Sequence, residues 1–449
     1  MSTTIENLEE QFSQQIGDWL EVIVSTAIPA GVTISSTHLN SYDAGRDDYF
    51  IDWWVYITDK ANAGVLRQVS DYATSGGVLT VRGANLTNDV ANIATIRLHR
   101  YNRDKIIEAF NDTSREVFPN LYRRLDNITL ITGNILPNSH FEDWALTTVP
   151  DKYSLSNTTV TENTTVSYLR GGAASAKVHA TAAAGYMEIN SDTYPRLLDL
   201  MGKTVNFRCW AYPEDLADDA AIEIYTLKAD TTAQTLTSTT SNPISKWTLI
   251  ELANQSINDD IQYISIRFKV VTNGNDVFYD KARLVGYNQS EYLLPTDFRD
   301  GSLLQVYTQA SGYADYACDD IMPRTWSRVF GYNIIRDGTD AWLQLPFLHT
   351  SEYLIRLIGT TPLETVYVGT VAASVVLAYA DTISLDGEKL NLFIAYAKYK
   401  FWQKIEPPVS SEDTGRYEGQ SAKCYGEYQR LLSKHKMMQP SGSLKLPVF

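Results

Sequence analysis

The sequence predicts an α+β multidomain protein: a helical bundle from the N- and C-terminal ends, a small β-barrel-like module, and an inserted all-β sandwich. Three observations lead there. Apolar residues recur at helical spacing near both ends of the chain. Between 138 and 287 the composition turns to Thr, Ser, Asn and Ala, with many short alternating runs. And 449 residues exceed what one hydrophobic core holds.

The first predicted helix covers 3–27, with Ile5, Leu8, Phe12, Ile16, Leu20 and Ile23 on one stripe and Pro29 and Gly31 behind it. Glu6, Glu9 and Glu10 suit the positive end of its dipole. Residues 32–100 read as β, including a long aromatic run from Tyr49 to Ile57. A second helix is expected over 102–126, with Ile106, Phe110, Val117, Leu121 and Leu125 facing inward. After the Thr-rich block, 291–380 reads as β with loops. Two more helices follow, over 388–405 and 412–436, with Pro407-Pro408 between them. Leu390, Phe393, Ile394, Ala397 and Phe401 mark the buried face of the first of these. The predicted division is 1–133 (first part of a scaffold), 134–288 (insertion) and 289–449 (second part of the scaffold).

Composition narrows function. Hydrophobic residues make up 44% and charged residues 20%, the balance of a folded chain. Net charge is -15, from 38 basic and 53 acidic residues, which disfavours general nucleic-acid binding. The three cysteines, Cys209, Cys318 and Cys424, are too far apart for a CxxC metal site and odd in number, as expected for a reducing cytoplasm. The start MSTTIENLEEQF lacks the features of a secretory signal, and no apolar run is long enough for a membrane span. Walker, HExxH, GxSxG and GxGxxG motifs are absent. The six histidines are scattered, and acidic pairs such as Asp218-Asp219 sit in loop-like stretches without a defined carboxylate separation. A non-enzyme is expected.

The central block opens on Asn138-Ser139-His140-Phe141-Glu142 and closes on Phe278-Tyr279-Asp280-Lys281-Ala282-Arg283-Leu284. Between them lie Gly172-Ala173-Ala174-Ser175-Ala176-Lys177-Val178 and the run from Leu200 to Tyr212. These segments resemble the jelly-roll carbohydrate-binding modules of glycan-degrading enzymes. The resemblance implies a structural Ca²⁺ held by Glu142 and Asp280; the alternative is two carboxylates that cap strand ends without metal. It also implies a glycan site on exposed aromatic side chains, for which Trp210, Tyr212 and Tyr225 are the candidates. Alternation in its strand favours a core position for Trp210 over an exposed platform.

The flanks carry a second resemblance. Trp54–Asp59, Gly64–Val69 and Gly77–Val81 look like a β module common in virion proteins. Leu294-Pro295-Thr296-Asp297-Phe298 and the aromatic C-terminal helix pair resemble bacteriophage head–tail adaptor (connector) proteins. That resemblance implies a structural neck subunit, assembled in the host cytoplasm, that joins portal to tail. It implies a homo-oligomeric ring of about twelve copies through which DNA passes without specific binding. Phe393, Phe401 and Trp402 are the expected contact residues of that ring. The alternatives are a glycan-binding decoration or fibre-like virion protein anchored by its helices, and a polysaccharide-degrading enzyme with an appended module.

Overall fold

The computed structural model describes residues 3–89, 93–286, 288–300, 302–309, 325–338, 340–349, 351–366, 376–377, 382–385, 387–405 and 411–438. Cys318, named above, lies outside them. The chain forms two compact units: Met1–Arg123 with Pro362–Phe449, and Arg124–Thr361. The inserted unit is therefore larger than the 134–288 expected, because 289–361 goes with the sandwich and not with the helices.

The first unit is built on four helices: α1 (Ile5–Ile16), α2 (Arg103–Glu116), α3 (Gly387–Lys404) and α4 (Ser411–Met438). Thr4 caps α1 by accepting the N–H of Asn7, and Gly17, at φ 74°, ends it. The helix is shorter than the apolar spacing predicts. Leu20–Ile23 is a strand instead, because a left-handed residue at Gly17 breaks the stripe before Leu20 can continue it. α2 likewise stops at Glu116, since Pro119 disfavours helix at the residue before it, and Arg123–Ile131 is a strand.

Ile5, Leu8, Phe12, Phe110, Phe393 and Phe401 are fully buried in one core. Phe12 meets Phe110 at 5.2 Å and Phe401 at 5.4 Å between ring centroids, both edge to face. Thr3–Thr4 pairs antiparallel with Thr382–Ile383, so the two ends of the chain also share main-chain hydrogen bonds. Glu9, buried, is matched by a two-point contact from Arg103 at 2.7 and 3.0 Å. In the same unit a six-stranded antiparallel sheet runs in the order Leu20–Ile23, Thr95–His99, Trp54–Ile57, Leu66–Ala73, Val78–Val81, Thr33–Ser35 around a core of its own. Only Trp54–Ile57 of the expected long aromatic strand is extended. Asp48 and Asp52 take positive φ and turn the preceding residues so that Tyr49, Phe50 and Trp53 cluster with Tyr72.

The second unit contains the sandwich. One sheet, here the Tyr225 sheet, runs Ser154–Ser156, Gly185–Asn190, Ile261–Val270, Ala220–Lys228, Ala233–Thr237. The other, the Trp210 sheet, runs Thr158–Asn163, Ser175–Ala180, Asp276–Val285, Thr204–Pro213, Thr248–Ser256. Phe207, Ile222, Ile224, Ile266, Phe268 and Tyr279 fill the space between them. Beside the sandwich, Trp326–Val329, Ser302–Gln309, Leu354–Thr361 and Arg123–Ile131 form a four-stranded sheet. It shares a core with the three strands Glu291–Leu293, Asp340–Gln344 and Asn333–Asp337. Asn134 ties this part to the sandwich, accepting from Leu284 N at 2.8 Å and donating to Ala282 O at 3.2 Å. Among the described residues no helix is long and apolar enough to cross a membrane.

Replacing Phe12 with Ala removes the ring that both chain ends pack on. The expected cost is about 3–5 kcal/mol, read by urea denaturation followed through helical circular dichroism.

Candidate functional site

Period-two alternation divides the Tyr225 sheet into a core side and a solvent side. Met187, Ile189, Ile222, Ile224, Ile264, Ile266 and Phe268 point inward. Tyr186, Glu188, Glu223, Tyr225, Tyr263, Ser265, Arg267 and Lys269 occupy the alternate positions. The register sets Arg267 opposite Glu188 on one neighbouring strand and Glu223 on the other. Its guanidinium donates to Glu188 Oε2 at 3.1 Å and to Glu223 Oε1 at 2.9 Å. It also lies over two rings, 4.4 Å from the centre of Tyr186 and 4.1 Å from that of Tyr225. Lys269 donates to Glu223 Oε2 at 3.2 Å, and Ser265 donates to Glu188.

Burial works against the Arg267 charge, but the hydrogen bonds to Glu223 and Glu188 outweigh it and raise its pKa. The side chains are 15% exposed at Arg267, 12% at Glu188 and 6% at Glu223, so the network is largely shielded and held in one geometry. The result is a polar face with aromatic rings fixed beside carboxylates and cations. The rings of Tyr186 and Tyr225, half-buried with Arg267 over one face of each, leave their remaining surface for the apolar C–H side of a sugar ring. Because these groups are already locked, little ordering cost remains for a ligand.

Of the three aromatic candidates, only Tyr225 stands on this face. Trp210 and Tyr212 belong to the opposite sheet and do not form a site with it. Cys209 and Ala211 fill the core positions there, so Trp210 points outward, and the guanidinium of Arg170 covers its ring at 4.3 Å. Tyr212 is enclosed by Tyr168 at 5.4 Å and Trp247 at 5.6 Å. Both rings are half-buried, as Tyr225 is, but they belong to the other sheet and take no part in the Glu188–Arg267–Glu223 array. The residues missed from sequence are Tyr186, Glu188, Glu223 and Arg267. Their alternation is visible in the strands, but the register that aligns Glu188, Arg267 and Glu223 is a property of pairing between distant segments.

Glu142 and Asp280 do converge, on the loop 170–174. Glu142 accepts from Ala173 N at 3.0 Å and Ala174 N at 3.2 Å, while Asp280 accepts from Arg170 N at 2.9 Å and Gly171 N at 3.1 Å. Gly172, at φ 78°, leaves room for the Glu142 carboxylate, which a β-carbon there would overlap. Lys281 packs its amino group against Gly171, 2.6 Å from where a β-carbon would sit, and its charge favours ionised Asp280. A Ca²⁺ site takes carbonyl and carboxylate oxygens. This loop instead turns N–H donors to the carboxylates and brings an ammonium beside them. Among the described residues no group of three or more His, Cys, Asp or Glu converges to hold a metal. The surroundings thus fit two buried carboxylates with protein donors better than they fit Ca²⁺.

The predicted ring-contact residues are corrected as well. Phe393 and Phe401 are 0% exposed and packed into their own unit, so no partner surface is available on them. Trp402 is partly buried, stacked on Tyr417 at 5.5 Å.

No protein-family model matches the chain, and no curated protein does. Solved structures similar to part of it include the CBM22-1 xylan-binding domain of Paenibacillus barcinonensis Xyn10C. That likeness covers 36% of this chain and 97% of the module at 10% identity, with a TM-score of 0.28. The C-terminal family 22 carbohydrate-binding module of Clostridium thermocellum Xyn10B is similar over 34% of this chain and 93% of its own, at 14% identity and TM-score 0.28. The enzymatically active domain of bacteriophage CBA120 tailspike protein 4 is similar over 34% of this chain and 22% of its own, at 12% identity and TM-score 0.26. Identities and scores this low say nothing of what this chain binds.

Burial pushes both Glu142 and Asp280 up to about 7. Their pKa is thus higher in the folded than in the unfolded chain, so the folded state holds protons that the unfolded state has released. Their stabilising contribution is full below about pH 4 and is lost as pH rises to about 7. The expected outcome is that the parent loses melting temperature relative to Glu142→Gln as pH rises from 5 to 8. Added Ca²⁺ should leave both melting temperatures unchanged.

Proposed function

We propose that this chain is a non-enzymatic glycan-binding protein. The Tyr225 face of the sandwich is the binding surface, and the unit formed by the two chain ends is its anchor. The observation that carries this reading is Arg267 held between Tyr186 and Tyr225 and between Glu188 and Glu223. One guanidinium sets two half-buried rings and two carboxylates into a fixed array on the outward side of the sheet, where the rings are the part a saccharide chain would meet. The setting we propose, from the segments flanking the sandwich, is the particle of a tailed bacteriophage, where such a protein acts as a decoration or fibre-like component.

The test is a panel of neutral and acidic polysaccharides presented to the intact chain. Tyr225→Ala and Arg267→Ala are each expected to weaken binding about tenfold or more, with Trp210→Ala unchanged and no polysaccharide cleaved. A silent panel, or loss on Trp210→Ala alone, would remove the Tyr225 face from consideration.

A second reading, the neck adaptor, draws on the split organisation: both ends of the chain build one unit around Phe12, and the second unit interrupts it. It predicts that the purified chain assembles into a ring on a portal complex. A chain that stays monomeric in the presence of portal argues against it.

A further inference from the structure

The helical unit holds a cavity of about 470 Å³ between the end of α1, the residues leading into α2, and the facing sides of α3 and α4. Its lining is opposite in sign to the chain, whose net charge is -15. Arg100, Lys398, Arg416 and Lys423 stand against one carboxylate, Glu427. Lys398 is 8% exposed and meets that carboxylate at 2.8 Å. Arg416 and Lys423 pair with no carboxylate of the lining, while the guanidinium of Arg100 lies over the Trp53 ring at 5.0 Å. Asp18, buried nearby, is engaged by the main-chain N–H groups of Arg100 and Tyr101.

Arg416 and Lys423 lie seven residues apart on one face of α4, and both are exposed. The wall behind them is rigid, because Trp402 stacks on Tyr417 and meets Tyr101 edge-on at 5.6 Å. The volume is that of a small-molecule site. The guanidinium of Arg416 and the ammonium of Lys423, both exposed, suit phosphate oxygens in chemistry and charge.

We infer that this cavity binds a small phosphate-bearing anion through Arg416 and Lys423. The inference is independent of the glycan reading, since the site lies in the other unit.

The test is isothermal calorimetry of the full chain with ATP and with tripolyphosphate. Both are expected to bind. Because Arg416 and Lys423 are exposed, Arg416→Glu and Lys423→Glu should keep the parent melting temperature, and each should weaken binding about tenfold or more. Lys246→Glu, at an exposed bend of the sandwich, should bind as the parent does. Absence of heat with both anions, or parent affinity in both charge-reversed variants, overturns the inference. So does binding of a poly-glutamate peptide where neither phosphate compound binds, an outcome that points to an acidic protein partner.

Discussion

The packing of Phe12 against Phe110 and Phe401 is the contact on which the organisation of the chain depends. It joins a residue near the start to one near the end, and everything between must leave that core and return to it. Aromatic pairs of this kind add specificity of angle to the area they bury. The Thr3–Thr4 pairing with Thr382–Ile383 reinforces the same closure through main-chain bonds. A long excursion between two closed ends costs little extra, because loop entropy grows only logarithmically with length.

Within the inserted unit the governing rule is alternation. One side of each strand feeds the sandwich core, and the other is free to carry chemistry. The two sheets use that freedom differently. On the Trp210 sheet the outward aromatics are covered, by Arg170 over Trp210 and by Tyr168 and Trp247 around Tyr212. On the Tyr225 sheet they flank a paired cation. Arg267 is costly to desolvate, and four partners share that cost.

Much of this was legible in the sequence. The runs Ile222-Glu223-Ile224-Tyr225 and Ile264-Ser265-Ile266-Arg267-Phe268 show their alternation directly, and α3 and α4 follow their apolar spacing and the Pro407-Pro408 break. Two things were not legible. Arg123–Ile131 belongs to a sheet whose other strands lie far along the chain, as in the contact between Asp126 and Arg356, 230 residues apart. No local pattern reports such pairing, which is why 289–361 was read as part of the scaffold. The site was half legible for the same reason. Tyr225 stood out as an aromatic, but its partners are set by register across strands separated by tens of residues. Phe393 and Phe401 looked like contact residues because large apolar side chains serve cores and interfaces alike, and only the position of Phe12 decides between them.

The inserted unit begins and ends on neighbouring strands of one sheet, Arg123–Ile131 and Leu354–Thr361. Its point of departure and its point of return are thus held side by side by its own hydrogen bonds. A segment built this way makes no demand on the length of the chain that hosts it. It can be lost, duplicated or exchanged for another folded cassette while the helices keep their spacing. Selection on what the cassette binds could then proceed there, while selection on the closure of the two ends acts separately.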